Sequence, residues 1–171
     1  KKENPKILLL VNAAGMGIQK EFAGISPQEA VSMTELNCSA LTGITGICLP
    51  YCKDGSRIFM LASAAAFVPQ PGFAVYAASK AYVVSFSRAL NRELKPRRIQ
   101  VTAVCPGPVD TPFLEKMGGK DQMPGYKKPF IARPGAVVKK PLRDGARSRE
   151  LSVPGVFIKA LEAGCKILPH S

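Results

Sequence analysis

Histidine is almost absent from this sequence, and its scarcity limits the chemistry that the chain can support. The only histidine, His170, stands beside the C-terminus. Cys48 and Cys52 have helical spacing, but no further cysteine or histidine accompanies them, so neither a zinc site nor a Cys–His pair is expected. The five cysteines are odd in number and lie in apolar surroundings, which is typical of buried thiols in a reducing compartment. We therefore expect a cytoplasmic protein without a bound metal.

Long hydrophobic runs are also absent. A helix that crosses a bilayer needs about 20 apolar residues, whereas the apolar runs here, such as residues 7–11 and 101–105, have only the length of a strand. No membrane span is therefore expected. A chain of 171 residues can bury a core without disulfides, so we expect a single domain over residues 1–171.

Acidic residues are few, with 12 Asp and Glu against 24 Lys and Arg, and the net charge is +12. Such a balance attracts phosphate-bearing partners. Much of the excess lies in residues 116–149, where prolines interrupt the pattern and aromatic side chains for base stacking are scarce. We interpret this region as a solvated surface that favours an anionic ligand. Nucleic acid is the less favoured alternative.

Short apolar strands alternate with amphipathic helices along the chain. Strands are predicted at residues 7–11, 56–62 and 99–104, with a turn at 53–55. One helix starts at the cap Ser26 and runs to about residue 49, and a second carries Tyr76. Beyond residue 111 we expect a mobile loop at 118–129, a helix at 134–143, an edge strand at 150–153 and an amphipathic docking helix at 156–168. This order predicts a parallel α/β sheet with helices on its faces.

Polar or turn-forming residues follow each predicted strand: Asn12, Ser63 and the pair Pro106 and Gly107. Ligands of parallel sheets bind beyond the carboxyl ends of the strands, so these residues predict a site at one edge. Tyr76 and Lys80 share a helix face. A tyrosine has a pKa of about 10, and a lysine cation beside it is expected to lower that value by about 2–3 units, into the range of general acid–base catalysis.

The Tyr-x-x-x-Lys pattern, the serine thirteen residues before it, Pro106 and Gly107, and Asn-x-Ala-Gly at residues 12–15 together resemble the classical short-chain dehydrogenase/reductase family. The resemblance runs from residue 7 to about 111, and residues 64–94 are similar to hydroxysteroid and oxoacyl reductases. It implies the C-terminal portion of a Rossmann-like, doubly wound parallel sheet, with three to four strands and flanking helices. It also implies NAD or NADP as cofactor.

On this resemblance Tyr76 is the acid/base, Lys80 lowers its pKa and binds the nicotinamide ribose, and Ser63 orients the substrate oxygen. Asn37 would hold a water in a proton relay to Lys80, and Thr111 would lie near the carboxamide. The implied cofactor-binding residues are Asn12, Ala14, Gly15, Tyr76, Lys80, Pro106, Gly107, Val109 and Thr111.

The sequence departs from the family at its front. The glycine-rich turn that binds the pyrophosphate is missing, because Gly15 and Gly17 are followed by Lys20 where a third glycine would stand. The chain corresponds to the family from its fourth strand onward and starts with lysine, so we expect a fragment. The residue that separates NAD from NADP in the family follows its second strand, which this sequence does not contain.

Two functions remain open. The first is an oxidoreductase that interconverts an alcohol and a ketone by hydride transfer; apolar residues near Phe73 and Phe113 favour a lipophilic small-molecule substrate. The second is a non-catalytic, truncated relative that acts as a binding or oligomerisation module. Because the long helices commonly form the family's dimer interface, a homodimer or homotetramer is expected.

Overall fold

The computed structural model describes residues 5–117, 119 and 125–167. Its centre is a sheet of four parallel strands in the order β1-β2-β3-β4. The strands are β1 (Ile7–Asn12), β2 (Cys52–Leu61), β3 (Gln100–Val104) and β4 (Leu151–Ser152). The parallel α/β sheet predicted from the sequence is thus confirmed, including a short fourth strand at its edge.

The helices follow the strands in the predicted order. They are α1 (Pro27–Thr34), α2 (Leu41–Cys48), α3 (Ala74–Glu93), α4 (Pro112–Lys116), α5 (Pro134–Ala146) and α6 (Val156–Ile167). Half of the loop predicted at residues 118–129, residues 118 and 120–124, falls outside the described residues. Its last five residues instead belong to a 3-10 helix, Gly125–Phe130. Within the described ranges, no helix combines the length and apolar character that crossing a membrane requires.

The helix predicted to start at Ser26 begins as expected but changes its winding. The Glu29 amide donates to the Ser26 Oγ (3.2 Å), and the Ser26 amide donates to the Glu29 carboxylate (2.9 Å), so the cap is reciprocal. The segment Glu35–Ala40 is wound as a π-helix between α1 and α2. A π segment fits an extra residue into a helix, and such segments often occur at functional sites.

The turn predicted at residues 53–55 is wrong, because these residues belong to β2. Ile7 pairs with Cys52, whereas Leu9, only two residues later, pairs with Arg57. The surplus residues of β2 form a bulge, in which Gly55 takes a positive φ of 84°. The chain does not reverse its direction here, because the residues on both sides of the bulge remain paired with β1.

The core lies between the sheet and the layer formed by α2 and α3. Ile58, Met60 and Val101 point from the sheet into this layer and meet Val83 of α3, and all four are fully buried. On the opposite face Phe59 packs on α5 so closely that a Cβ added to Gly145 would lie 2.5 Å from its ring. That face of β1 remains uncovered, and over half of Leu9 and Val11 is exposed.

The central strand therefore carries much of the stability. We expect Ile58→Ala to lower the free energy of unfolding by about 2–5 kcal/mol, because the change removes buried methyl groups and leaves a cavity. Val31→Ala is the matched control, since Val31 is 54% exposed on α1 and the change should cost under about 0.5 kcal/mol. Urea denaturation would measure both. Equal effects of the two changes would contradict this assignment of the core.

Candidate functional site

A cavity of about 760 Å³ opens beyond the carboxyl ends of β2 and β3. The end of β2 is joined to the end of β3 by the Ala64 amide, which donates to the Pro106 carbonyl (2.9 Å). The cavity is lined mostly by apolar side chains. Among its lining residues are Gly15, Ser63, Tyr76, Lys80, Pro106, Gly107, Val109 and Thr111, all of them predicted from the sequence.

Ser63 and Tyr76 are placed by the starts of two helical segments. Ser63 has extended backbone directly after β2, and its Oγ accepts from the Ala65 amide (3.1 Å), which caps the 3-10 helix Ala64–Phe67. Tyr76 lies in the first turn of α3, and its side chain lines the same cavity as that of Ser63. Two hydroxyl groups are thereby brought together at the mouth of an apolar space.

The Tyr76 ring is buried among apolar groups. It lies 4.4 Å from the ring of Phe73 and 6.1 Å from that of Phe113, and a Cβ added to Gly17 would stand 3.0 Å from it. Burial raises the pKa of Tyr76 to about 12, although the nearby Ser63 side chain opposes the shift. The expected lowering of this pKa by Lys80 is therefore wrong for this structure.

Lys80 explains why that expectation fails. Its Nζ donates to the Leu61 carbonyl at the end of β2 (2.8 Å) and lies 5.7 Å from the centroid of the Tyr76 ring. Burial lowers the pKa of Lys80 to about 8, against smaller opposite effects of Cys38 and Cys105. The spacing in the sequence reveals the attraction between a cation and a phenolate, but the dominant effect is the loss of water around both groups.

Asn37 is fully buried in the π-helical segment and binds the loop after β1. Its Oδ1 accepts from the Met16 amide (2.9 Å), and its Nδ2 donates to the Met16 carbonyl (2.8 Å) and to the Ser79 Oγ (3.0 Å). A Cβ added to Gly15 would lie 3.0 Å from this Oδ1 and 3.3 Å from the Lys80 Nζ, so a larger residue there would press on both side chains. Asn37 does not line the cavity, and its expected water relay stays a prediction.

Asn12 and Ala14 are the remaining predicted residues, and neither lines the cavity. The Asn12 Nδ2 donates to the Thr45 Oγ1 (2.8 Å) and to the Met60 sulfur (3.3 Å). This side chain therefore ties the end of β1 to α2. Its expected contact with the cofactor stays a prediction.

Sequence reasoning missed most of the apolar wall of the cavity. These residues come from the segments after β3 and include Met117, Phe130, Val137, Phe157, Ile158 and Leu161. The signal available in the sequence is the apolar face of the helix predicted at residues 156–168, which by its pattern alone is interpreted as a docking element. Within the described part of the chain, no three His, Cys, Asp or Glu side chains are grouped so as to hold a metal ion.

A dinucleotide fits this arrangement at its nicotinamide end. Gly15 brings the backbone close to the buried Lys80 amine, since a Cβ added there would lie 3.3 Å from the Lys80 Nζ, and a Cβ added to Gly107 would lie 2.8 Å from the Ile158 side chain. The two hydroxyls and the amine converge in a space that is otherwise apolar. Such a space can enclose a flat aromatic ring and offer hydrogen bonds to a ribose.

Comparison with known proteins identifies one family. A family model described as short chain dehydrogenase matches residues 1–122. The chain is 33% identical over 111 residues to an uncharacterized oxidoreductase of Bacillus subtilis, YhxC, a match that covers 64% of this chain and 39% of that protein. The chain spans less than half the length of the curated relatives it matches.

Solved structures share the Rossmann fold of these proteins. A putative dehydrogenase from Burkholderia cenocepacia with bound NADP is 29% identical, with a TM-score of 0.76, and the match covers 86% of this chain and 60% of that one. A 3-ketoacyl-(acyl-carrier-protein) reductase from Brucella melitensis, complexed with NADH, is 27% identical with a TM-score of 0.74 and coverages of 88% and 66%. The Rossmann-like fold predicted from the sequence is thereby confirmed.

The buried amine generates a prediction about pH. The pKa of Lys80 falls from 10.5 to about 8 on folding, so between these values the unfolded state binds more protons and stability rises with pH. We expect wild type to gain up to about 1.4 kcal/mol per pH unit over this window relative to Lys80→Met. Denaturation at several pH values would measure the difference.

The comparison with the variant is needed because the raised pKa values of Tyr76 and of the Cys38, Cys52 and Cys105 thiols act in the opposite direction in both proteins. Lys139→Met removes an exposed lysine and should track wild type. If the difference in free energy of unfolding between wild type and Lys80→Met did not change with pH, Lys80 would stay fully charged in the folded protein.

Proposed function

Because the chain belongs to the short-chain dehydrogenase family, we propose that the protein is an NAD(P)-dependent oxidoreductase that interconverts an alcohol and a ketone. One observation carries the proposal: the Ser63 and Tyr76 hydroxyls and the buried Lys80 amine converge in a single apolar cavity. Such a group can bind a carbonyl oxygen, exclude water from it and exchange a proton with it.

NAD or NADP, when bound, supplies or accepts the hydride. The residues that would hold its nicotinamide end are Gly15, Lys80, Pro106, Gly107 and Thr111, which line one part of the cavity, with Val109 beside them. The similar dehydrogenase and reductase structures hold NADP and NADH, which supports this class of cofactor for the present chain.

Tyr76 acts as the acid in the reducing direction. With a pKa of about 12 it keeps its proton at neutral pH, and Ser63 holds the substrate oxygen beside it. As the carbonyl carbon gains a hydride, its oxygen takes the phenolic proton, so that an alcohol and a phenolate result. The phenolate regains its proton from the Lys80 ammonium, whose pKa of about 8 permits transfer near neutrality, and the neutral amine then takes a proton from water in the cavity. In the oxidising direction the same protons move back.

Asn37 is a positioning residue in this scheme. It touches neither the cavity nor the reacting atoms but fixes the backbone of Met16 beside Gly15. Its amide is also bonded to Ser79, next to Lys80 in the sequence. The expected water relay would start from this cluster.

We further propose a cytoplasmic protein that associates with copies of itself as a homodimer or homotetramer. The free thiols of the five cysteines support the reducing compartment. Exposed apolar side chains on α2, Ile44 and Ile47, support association. The same surface favours the second candidate function, a non-catalytic oligomerisation module. The two candidates differ in whether the protein binds a nicotinamide dinucleotide.

The first test is a fluorescence titration of the full polypeptide with NADH and NADPH. Saturable binding of either is expected, because the proposed reaction cannot proceed without one of them. Absence of binding to both would overturn the oxidoreductase and leave the oligomerisation module.

The second test is Tyr76→Phe. We expect ketone reduction to fall by about 10²–10⁴-fold, since the acid is removed, while the dissociation constant of the cofactor changes by less than about threefold. Tyr82→Phe is the matched control: Tyr82 is 41% exposed on the same helix and hydrogen-bonded with Thr42, so its activity should match wild type. Retained turnover in Tyr76→Phe would remove Tyr76 from the mechanism.

A further inference from the structure

Helix α6 forms one wall of the cavity. Its side chains Phe157, Ile158 and Leu161 line the same space as Ser63 and Tyr76. The Phe157 ring lies 4.6 Å from that of Phe130, tilted by 48°, so two distant segments of the chain meet across the rim. The described part of the wall is therefore aromatic and aliphatic.

The position of α6 is fixed at its first turn. Ile158 packs against the main core and stands over Gly107, where an added Cβ would lie 2.8 Å from its side chain. The helix also packs on the 3-10 helix Ala64–Phe67, which Ser63 caps. Ser63, Tyr76 and the apolar face of α6 thus line one continuous cavity.

This apolar face is only partly covered. Phe157 is 66% exposed and Leu161 is 43% exposed, although both line a cavity. A ligand that covers this apolar surface removes it from water, which favours binding. A small ketone between the hydroxyls cannot extend over these side chains, whereas a ligand with a large apolar body can.

We propose that α6 is the specificity element of the site, and that Phe157 and Leu161, together with Phe130, select a carbonyl compound with a bulky apolar body. The inference rests on the proposed function, because it assumes that the reacting oxygen lies between Ser63 and Tyr76. The substrate would be recognised through the burial of its apolar surface, because the side chains of α6 that line the cavity are hydrocarbon.

The experiment compares two ketones of different size on the full polypeptide. Phe157→Ala should lower kcat/KM for trans-1-decalone by about 10–100-fold and leave cyclohexanone within about twofold, because only the larger ketone reaches α6. Val156→Ala is the matched control, since Val156 is 84% exposed on the same helix and does not line the cavity. It should leave both ketones unchanged. Leu161→Ala should repeat the selective loss if Phe157→Ala fails to fold.

Calorimetric titration of trans-1-decalone provides a readout without turnover. We expect its dissociation constant to rise about tenfold in Phe157→Ala and to stay constant in Val156→Ala. An unchanged preference in both Phe157→Ala and Leu161→Ala, or no binding of trans-1-decalone to wild type, would overturn the role of α6. Reduction of cyclohexanone by wild type would leave the proposed function standing in that case, whereas failure to bind either nicotinamide dinucleotide would remove the proposed function itself.

Discussion

The burial of one amine sets the conditions for the rest of the site. Lys80 is 4% exposed, and a buried cation is costly unless oxygen atoms replace the lost water. The described partner is the Leu61 carbonyl at the last residue of β2, so α3 must begin where that carbonyl can be reached. This requirement brings the first turn of α3 beside Ser63. The same loss of water shifts the pKa values of Lys80 and Tyr76 in opposite directions and keeps the phenol protonated.

A second polar cluster, on the far side of the sheet, supports the cavity from a distance. Asp144 of α5 is 3% exposed, accepts from the Ser152 Oγ (2.7 Å) and forms ion pairs with Lys140 and Arg149. Burial would raise the pKa of Asp144, but the hydrogen bonds from Lys140 and Ser152 outweigh it and hold the pKa below its usual range. The cluster joins α5 to β4. Because α6 follows β4 directly, the apolar wall of the cavity depends on a charge network that the cavity never contacts.

Local patterns were sufficient to predict the sheet, the reciprocal cap of α1 and the grouping of Ser63, Tyr76 and Lys80, because each depends on spacing within one or two elements. The bulge in β2 could not be predicted in this way, since the register of a strand is set by its partner. The pKa of Tyr76 was mispredicted for a related reason. Spacing reveals which charges are neighbours, whereas the burial of Tyr76 also depends on Phe113, which comes from a separate segment. The contribution of α6 was missed because its apolar face has the same pattern whether it covers a core, a partner or a ligand.

The π-helical segment has a consequence for how the helices on one face of the sheet can evolve. Each residue of an α-helix turns the chain by about 100°, so one surplus residue in Glu35–Ala40 resets the rotational phase between α1 and α2. Met33 and Thr45, on either side of this reset, are both buried. A deletion of one residue within the segment would rotate one half of the helix relative to the other and separate Asn37 from Met16. Length in this segment is therefore constrained more tightly than composition, although nothing in it touches the cavity.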